Sequence, residues 1–108
     1  MPSKWERRID MKLNSLKSEF LKYMVKSYAK DHKRIFTFES FKSLYPELDD
    51  DFISDALFAL DEDGLVHVFK ADDVAYETTL LPNAICSVEE DTLLRKGYSF
   101  IKEIRSWL

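Results

Sequence analysis

The stretch Asp49-Asp50-Asp51-Phe52-Ile53-Ser54-Asp55-Ala56-Leu57-Phe58-Ala59-Leu60-Asp61-Glu62-Asp63-Gly64 decides how the rest of the chain is read. Asp49 is a favourable N-cap, Asp50 and Asp51 put negative charge at the positive end of a helix dipole, and Gly64 is the residue type that commonly follows a helix end. The spacing therefore predicts one helix with both ends marked. Within it Ile53, Ala56, Leu57 and Leu60 recur at i, i+3, i+4 and i+7, so one stripe faces a core. The other arc holds Asp51, Asp55, Asp61 and Glu62 around Phe58, an aromatic ring expected to be exposed.

Upstream, Leu13, Leu16, Phe20, Tyr23, Met24 and Ser27 recur at helical spacing, which predicts a first helix over about 10–30. Ile9 and Trp5 extend the same face. Its other side carries Arg8, Lys12, Lys22, Lys26, Lys30 and Lys33, a basic ladder relieved by Glu19. Arg34-Ile35-Phe36-Thr37-Phe38 is too short and too rich in β-formers for a helix, and fits a strand ending on Thr37 as the cap of a second helix. That helix runs from about Phe38 to Tyr45, with Phe38, Phe41 and Leu44 inward, and Pro46 ends it.

Downstream of Gly64 the period changes. Leu65 to Lys70 and Val74 to Leu80 alternate around a polar turn at Ala71-Asp72-Asp73, which predicts a β-hairpin closed by Leu81-Pro82-Asn83. Residues Cys86 to Glu90 read as irregular. Asp91 or Thr92 can cap a last helix, over about 92–108, whose apolar face holds Leu93, Gly97, Phe100, Ile101, Ile104, Trp107 and Leu108. Gly97 within that face points to a close helix contact.

Helix, short strand, helix, helix and hairpin, with one extra C-terminal helix, resemble the winged helix-turn-helix domain over roughly Leu13 to Leu80. The carrying features are Phe36-Thr37-Phe38 before the second helix and Leu60-Asp61-Glu62-Asp63-Gly64-Leu65-Val66 after the third. The tail, Leu93-Leu94-Arg95-Lys96-Gly97-Tyr98-Ser99-Phe100-Ile101 onward, is similar to the ends of small winged-helix proteins of Gram-positive bacteria and their prophages, such as the YjcQ family. The expected class is α+β, mostly α, in a single domain spanning 1–108. The resemblance implies binding, with transcription regulation and DNA as the customary setting.

Composition bounds these readings. A chain of 108 residues with 45% apolar and 14% aromatic content can bury one core. A single cysteine, Cys86, excludes an internal disulfide framework, and the opening residues are followed by no continuous apolar run. A cytoplasmic location is therefore expected, without a membrane span. The net charge of -4 hides a polarity: residues 1–43 carry 11 Lys and Arg against 5 Asp and Glu, whereas residues 44–108 carry 5 against 15. Such polarity favours self-association or a partner that meets only one surface.

Enzymatic signatures are missing from the sequence. His32, His67 and Cys86 lack ligand spacing. Aligning Gly64 with the glycine of a calcium loop puts Ala59 and Lys70 at ligand positions, so that match fails. With only Gly64 and Gly97, there is no phosphate-binding loop. We therefore expect no catalytic residues, metal or cofactor. The leading expectation is a protein-binding surface made by Asp51, Asp55, Phe58, Glu62, Asp72 and Asp73, engaging a basic protein surface, with nucleic-acid mimicry or regulation of a DNA-binding protein as its setting. The alternative is DNA binding through phosphate contacts from Lys22, Lys26, Lys30, Lys33 and Arg34. A homodimer through terminal helices bearing Trp5 and Trp107 is also expected to be open, because Leu21, Val25 and Tyr28 widen the apolar arc of the first helix.

Overall fold

The computed structural model describes residues 12–90, 92–95 and 98. Helix α1, Leu13–Asp31, buries Leu16, Phe20, Leu21, Met24 and Val25 completely. It ends where His32 turns left-handed at φ 59° and donates its N–H to the Tyr28 carbonyl at 2.7 Å. Strand β1, Ile35–Thr37, turns Phe36 inward, and helix α2, Phe38–Leu44, buries Phe41. The Phe20 and Phe41 ring centroids lie 4.9 Å apart, and those of Tyr23 and Phe36 5.5 Å apart, in the tilted and edge-on geometries that aromatic pairs prefer. This aromatic cluster fastens α1, β1 and α2 to one another.

Leu44, expected inward, is 42% exposed. Each step of three residues falls about 60° short of a full helical turn, so the inward side passes from Phe41 to Tyr45, whose ring meets Phe20 at 6.1 Å. Leu21 and Val25 lie in the core of the single chain. Tyr28 is half-buried and packs against that core. The expectations on Trp5, Ile9, Arg8, Gly97 and Trp107 lie outside the described residues.

Helix α3, Asp50–Glu62, buries the predicted stripe Ile53, Ala56, Leu57 and Leu60 against α1 and the sheet. Each large side chain so buried contributes about 1.5–3 kcal/mol. Asp49 holds the N-cap position, yet its side chain makes no capping hydrogen bond, so its benefit is limited to charge at the dipole. The other end is a Schellman motif: Leu65 N–H bonds the Leu60 carbonyl at 3.2 Å, Gly64 N–H bonds the Asp61 carbonyl at 2.9 Å, and Gly64 has φ 77°. A side chain at Gly64 would be strained in that conformation.

Strands β2, Val66–Ala71, and β3, Val74–Leu80, form the hairpin, and β1 adds to β3, giving an antiparallel sheet of order β1-β3-β2. Asp72 and Asp73, both left-handed at φ 52° and 64°, make the two-residue turn, the backbone pattern of a type I′ hairpin. The segment after the hairpin corrects the sequence reading. Pro82 and Asn83, expected to close the hairpin, and Cys86 to Glu89, expected to be irregular, form one helix, α4, Pro82–Glu89, with Pro82 in its first turn and Ala84, Ser87 and Val88 buried. A short helix α5, Thr92–Arg95, follows and buries Leu93; the rest of the expected 92–108 helix lies outside the described residues. Tyr98 is buried, donates its hydroxyl to Asp63 at 3.0 Å, and lies under Lys17, which pairs with the same carboxylate at 2.8 Å. That trio ties α1 and the end of α3 to the C-terminal segment.

Candidate interaction site

The carboxylates of α3 divide by where the helix aims them. At about 100° per residue, Ser54 and Asp61 project to one side, between the core stripe and the solvent. There Asp61 accepts the Val68 N–H at 2.8 Å, and the Ser54 hydroxyl accepts the Ala75 N–H at 3.2 Å. Both bonds seat the hairpin on the helix. Val68 lies in β2, an edge strand, so the Asp61 carboxylate also satisfies an amide that an open edge would leave unpaired. Asp61, expected on the outward arc, is therefore a structural residue. Asp50 is engaged too, at 2.8 Å from Lys42, whose ammonium also donates to the Leu48 carbonyl.

The next stripe round the helix holds Phe58, Asp51, Glu62 and Asp55. Asp51, Asp55 and Glu62 are exposed and have no ion pair or hydrogen bond among the described residues. Helix α3 has no Lys or Arg, so nothing on it offsets this charge. Phe58 differs from expectation. Its side chain is half-buried and packs against the core.

The hairpin supplies the exposed aromatics instead. Phe69 and Tyr76 are each 59% exposed and meet edge to face at 6.4 Å. Phe69 follows from strand alternation, since Val66 and Val68 point inward. Tyr76 does not, because Thr78 and Leu80 are buried and strict alternation would bury Tyr76 with them. The register explains its position: Glu77 pairs with Phe69 and Ala75 with Lys70, which leaves Tyr76 as the extra residue of a bulge. The bulge sends Ala75 inward and Tyr76 out, beside Phe69. No sequence signal marks that reversal.

Just beyond the pair, Asp72 and Asp73 are exposed at the tip, and Lys70 pairs with Asp73 at 3.1 Å. Glu77, on the row of Phe69, adds a further half-buried carboxylate. The hairpin thus carries an aromatic pair and an acidic tip, and the helix on which it is seated carries an acidic stripe.

The basic residues lie elsewhere. Lys26, Lys30, Lys33 and Arg34 are exposed and Lys22 is half-buried. Lys33 is held over the Phe36 ring at 5.1 Å, a cation–π contact that draws it toward β1. Between α1 and the end of α2 lies an open groove of about 300 Å³ lined by Glu19, Lys22, Tyr23, Lys26, Leu44 and Tyr45. Burial raises the Tyr45 phenol above its ordinary value, and the charges of Glu19 and Glu47 add to the rise.

Among the described residues, no helix is long and apolar enough to cross a membrane. No family model, curated protein or solved structure matches the chain.

Proposed function

We propose that the chain is a winged-helix binding module that engages a basic protein surface through the hairpin and the acidic face of α3. The observation that carries this reading is the solvent-exposed Phe69–Tyr76 pair, bordered by Asp72 and Asp73; beside it stand the outward carboxylates of α3, Asp51, Asp55 and Glu62, whose side chains lack partners among the described residues. Exposed aromatics ringed by charge have the composition of interface hot spots. The same carboxylates would repel a polyanion, so α3 is unsuited to a DNA groove. The helix–turn–helix followed by a hairpin seated on its second helix supports the winged-helix assignment, and a cytoplasmic setting completes the reading.

The test is affinity capture by the full chain, followed by reconstitution with the purified partner. A basic protein should be retained by the wild type and lost at least tenfold by both a Phe69→Ser, Tyr76→Ser variant and an Asp51→Lys, Asp55→Lys variant. A partner bound equally well by both variants overturns the proposal.

One observation favours a second reading, DNA binding through α1. Lys26, Lys30, Lys33 and Arg34 are exposed at its C-terminal end and the link beyond. Such lysines position a phosphate backbone without reading bases, so the affinity would be weak in specificity and steep in salt.

A further inference from the structure

We infer that the outer face of the hairpin receives one arginine side chain of the partner, whose guanidinium lies against the Phe69–Tyr76 pair and is held by the Glu77 carboxylate. The inference deepens the proposed function and rests on it, since the hairpin must first be the element that meets a basic protein surface.

Register brings the three residues together. Phe36, Thr78 and Val68 form one buried row across the sheet, so the next row, Thr37, Glu77 and Phe69, lies on the opposite, outer face. Glu77 stands directly opposite Phe69, and residues so opposed have Cβ atoms about 4.5–5.5 Å apart. The bulge adds Tyr76, whose ring centroid is 6.4 Å from that of Phe69.

The chemistry of this face selects the ligand. More than half of each aromatic side chain is exposed, so ring surface is open to a partner. Aromatic surface alone would serve any apolar group, whereas a carboxylate directly across the ladder favours a cation. A cation within about 6 Å of a ring centroid is attracted by the ring's quadrupole, and over Phe69 it also has the opposite carboxylate within reach. The Glu77 carboxylate has no ion pair or hydrogen bond among the described residues, and neither has that of Asp72 at the tip. Lys70 is the one Lys or Arg between Val66 and Leu80, and its ammonium is engaged by Asp73 at 3.1 Å. Arginine fits better than lysine, because a planar guanidinium stacks on a ring while its N–H fork bonds a carboxylate, whereas an ammonium is a strongly hydrated point charge.

The test titrates the isotope-labelled full chain with a blocked Gly-Arg-Gly tripeptide, and with the same peptide carrying lysine or citrulline, the last keeping the shape of arginine without its charge. The arginine peptide should shift the amides of Phe69, Tyr76 and Glu77 with a millimolar dissociation constant, the lysine peptide should bind at least threefold more weakly, and the citrulline peptide at least tenfold. Glu77→Gln should weaken the arginine peptide at least fivefold and leave the citrulline peptide unchanged. Phe69→Leu with Tyr76→Leu, which keeps the face apolar, should weaken the arginine peptide by a similar factor. Circular dichroism checks that both variants keep the fold. No shift on this face at tens of millimolar arginine peptide, equal binding of that peptide and either control, or an arginine response that survives either variant overturns the inference. Failure of the proposed function reads differently. Capture of a basic protein that depends on Asp51 and Asp55 but is untouched by Glu77→Gln overturns the arginine site alone, whereas capture indifferent to both the hairpin and the α3 variants overturns the proposed function.

Discussion

Two sides of one helix carry similar residues and do different work. On the side of α3 toward the hairpin, Asp61 and Ser54 accept backbone N–H groups of the sheet, and at its start Asp50 is paired with Lys42. On the solvent side Asp51, Asp55 and Glu62 have no partner among the described residues. The acidic content of the stretch is therefore the sum of two populations, one structural and one available. A charge count cannot separate them, but the direction each side chain takes from the helix axis can. The available group and the exposed aromatic pair of the hairpin are the two features from which the candidate surface is built.

The comparison is broken most forcefully in the core stripe beneath it. Leu57→Ala removes a fully buried side chain and should cost about 2–5 kcal/mol in chemical denaturation, whereas Asp55→Ala on the solvent side should stay within about 0.5 kcal/mol of wild type. An equal loss in the two variants would mean that the solvent side is also structural. Next in size is Asp61→Ala, which leaves the Val68 amide of the β2 edge without its acceptor and should cost about 1–3 kcal/mol. Glu62→Ala, one residue on, is the control that should not.

A smaller effect is expected where the C-terminal segment meets α3. Burial, and then the hydrogen bond to Asp63, raise the Tyr98 phenol above its ordinary 10.0. The unfolded phenol thus ionises at lower pH than the folded one. Stability from this group is intact below pH 10 and falls as pH rises beyond it. Tyr98→Phe should lose about 1 kcal/mol at neutral pH and show a shallower alkaline fall; an identical alkaline profile would remove Tyr98 as its source. Smallest of all, replacing Asp72-Asp73 by Asn-Gly should raise stability by less than about 1 kcal/mol, because both positions are left-handed and the new pair adopts that conformation more readily, a gain partly offset by the freedom of Gly in the unfolded chain. The same change should weaken partner capture, so stability and binding move in opposite directions.

The helix–strand–helix–helix–hairpin order was legible because each boundary carries its own chemistry: Gly64 in a left-handed cap, Pro46 after α2, and alternation in β2. What escaped the sequence escaped for local reasons. Pro82 marks the start of α4, yet a proline after a strand is also a turn residue, and eight residues give little periodicity to decide between them. Leu44 turns outward through the angular drift of a seven-residue helix, too short for its period to reveal that drift. In the candidate site the acidic residues were legible as a group and the anchor was not. Phe58 rests on the core, and Tyr76 reaches the surface only because the bulge reverses the alternation of β3.

The most direct measurement is a backbone amide-shift titration of the isotope-labelled full chain at about 150 mM salt, with an alternating lysine–leucine decapeptide and, separately, a random DNA duplex. If the acidic face and hairpin form the docking surface, the peptide shifts amides around Asp51, Asp55, Phe69, Asp72 and Tyr76, the duplex shifts none, and Phe69→Ser with Tyr76→Ser weakens the peptide response at least tenfold. Shifts produced by the duplex along Lys26 to Arg34, with the peptide leaving the hairpin and α3 unmoved, would contradict it.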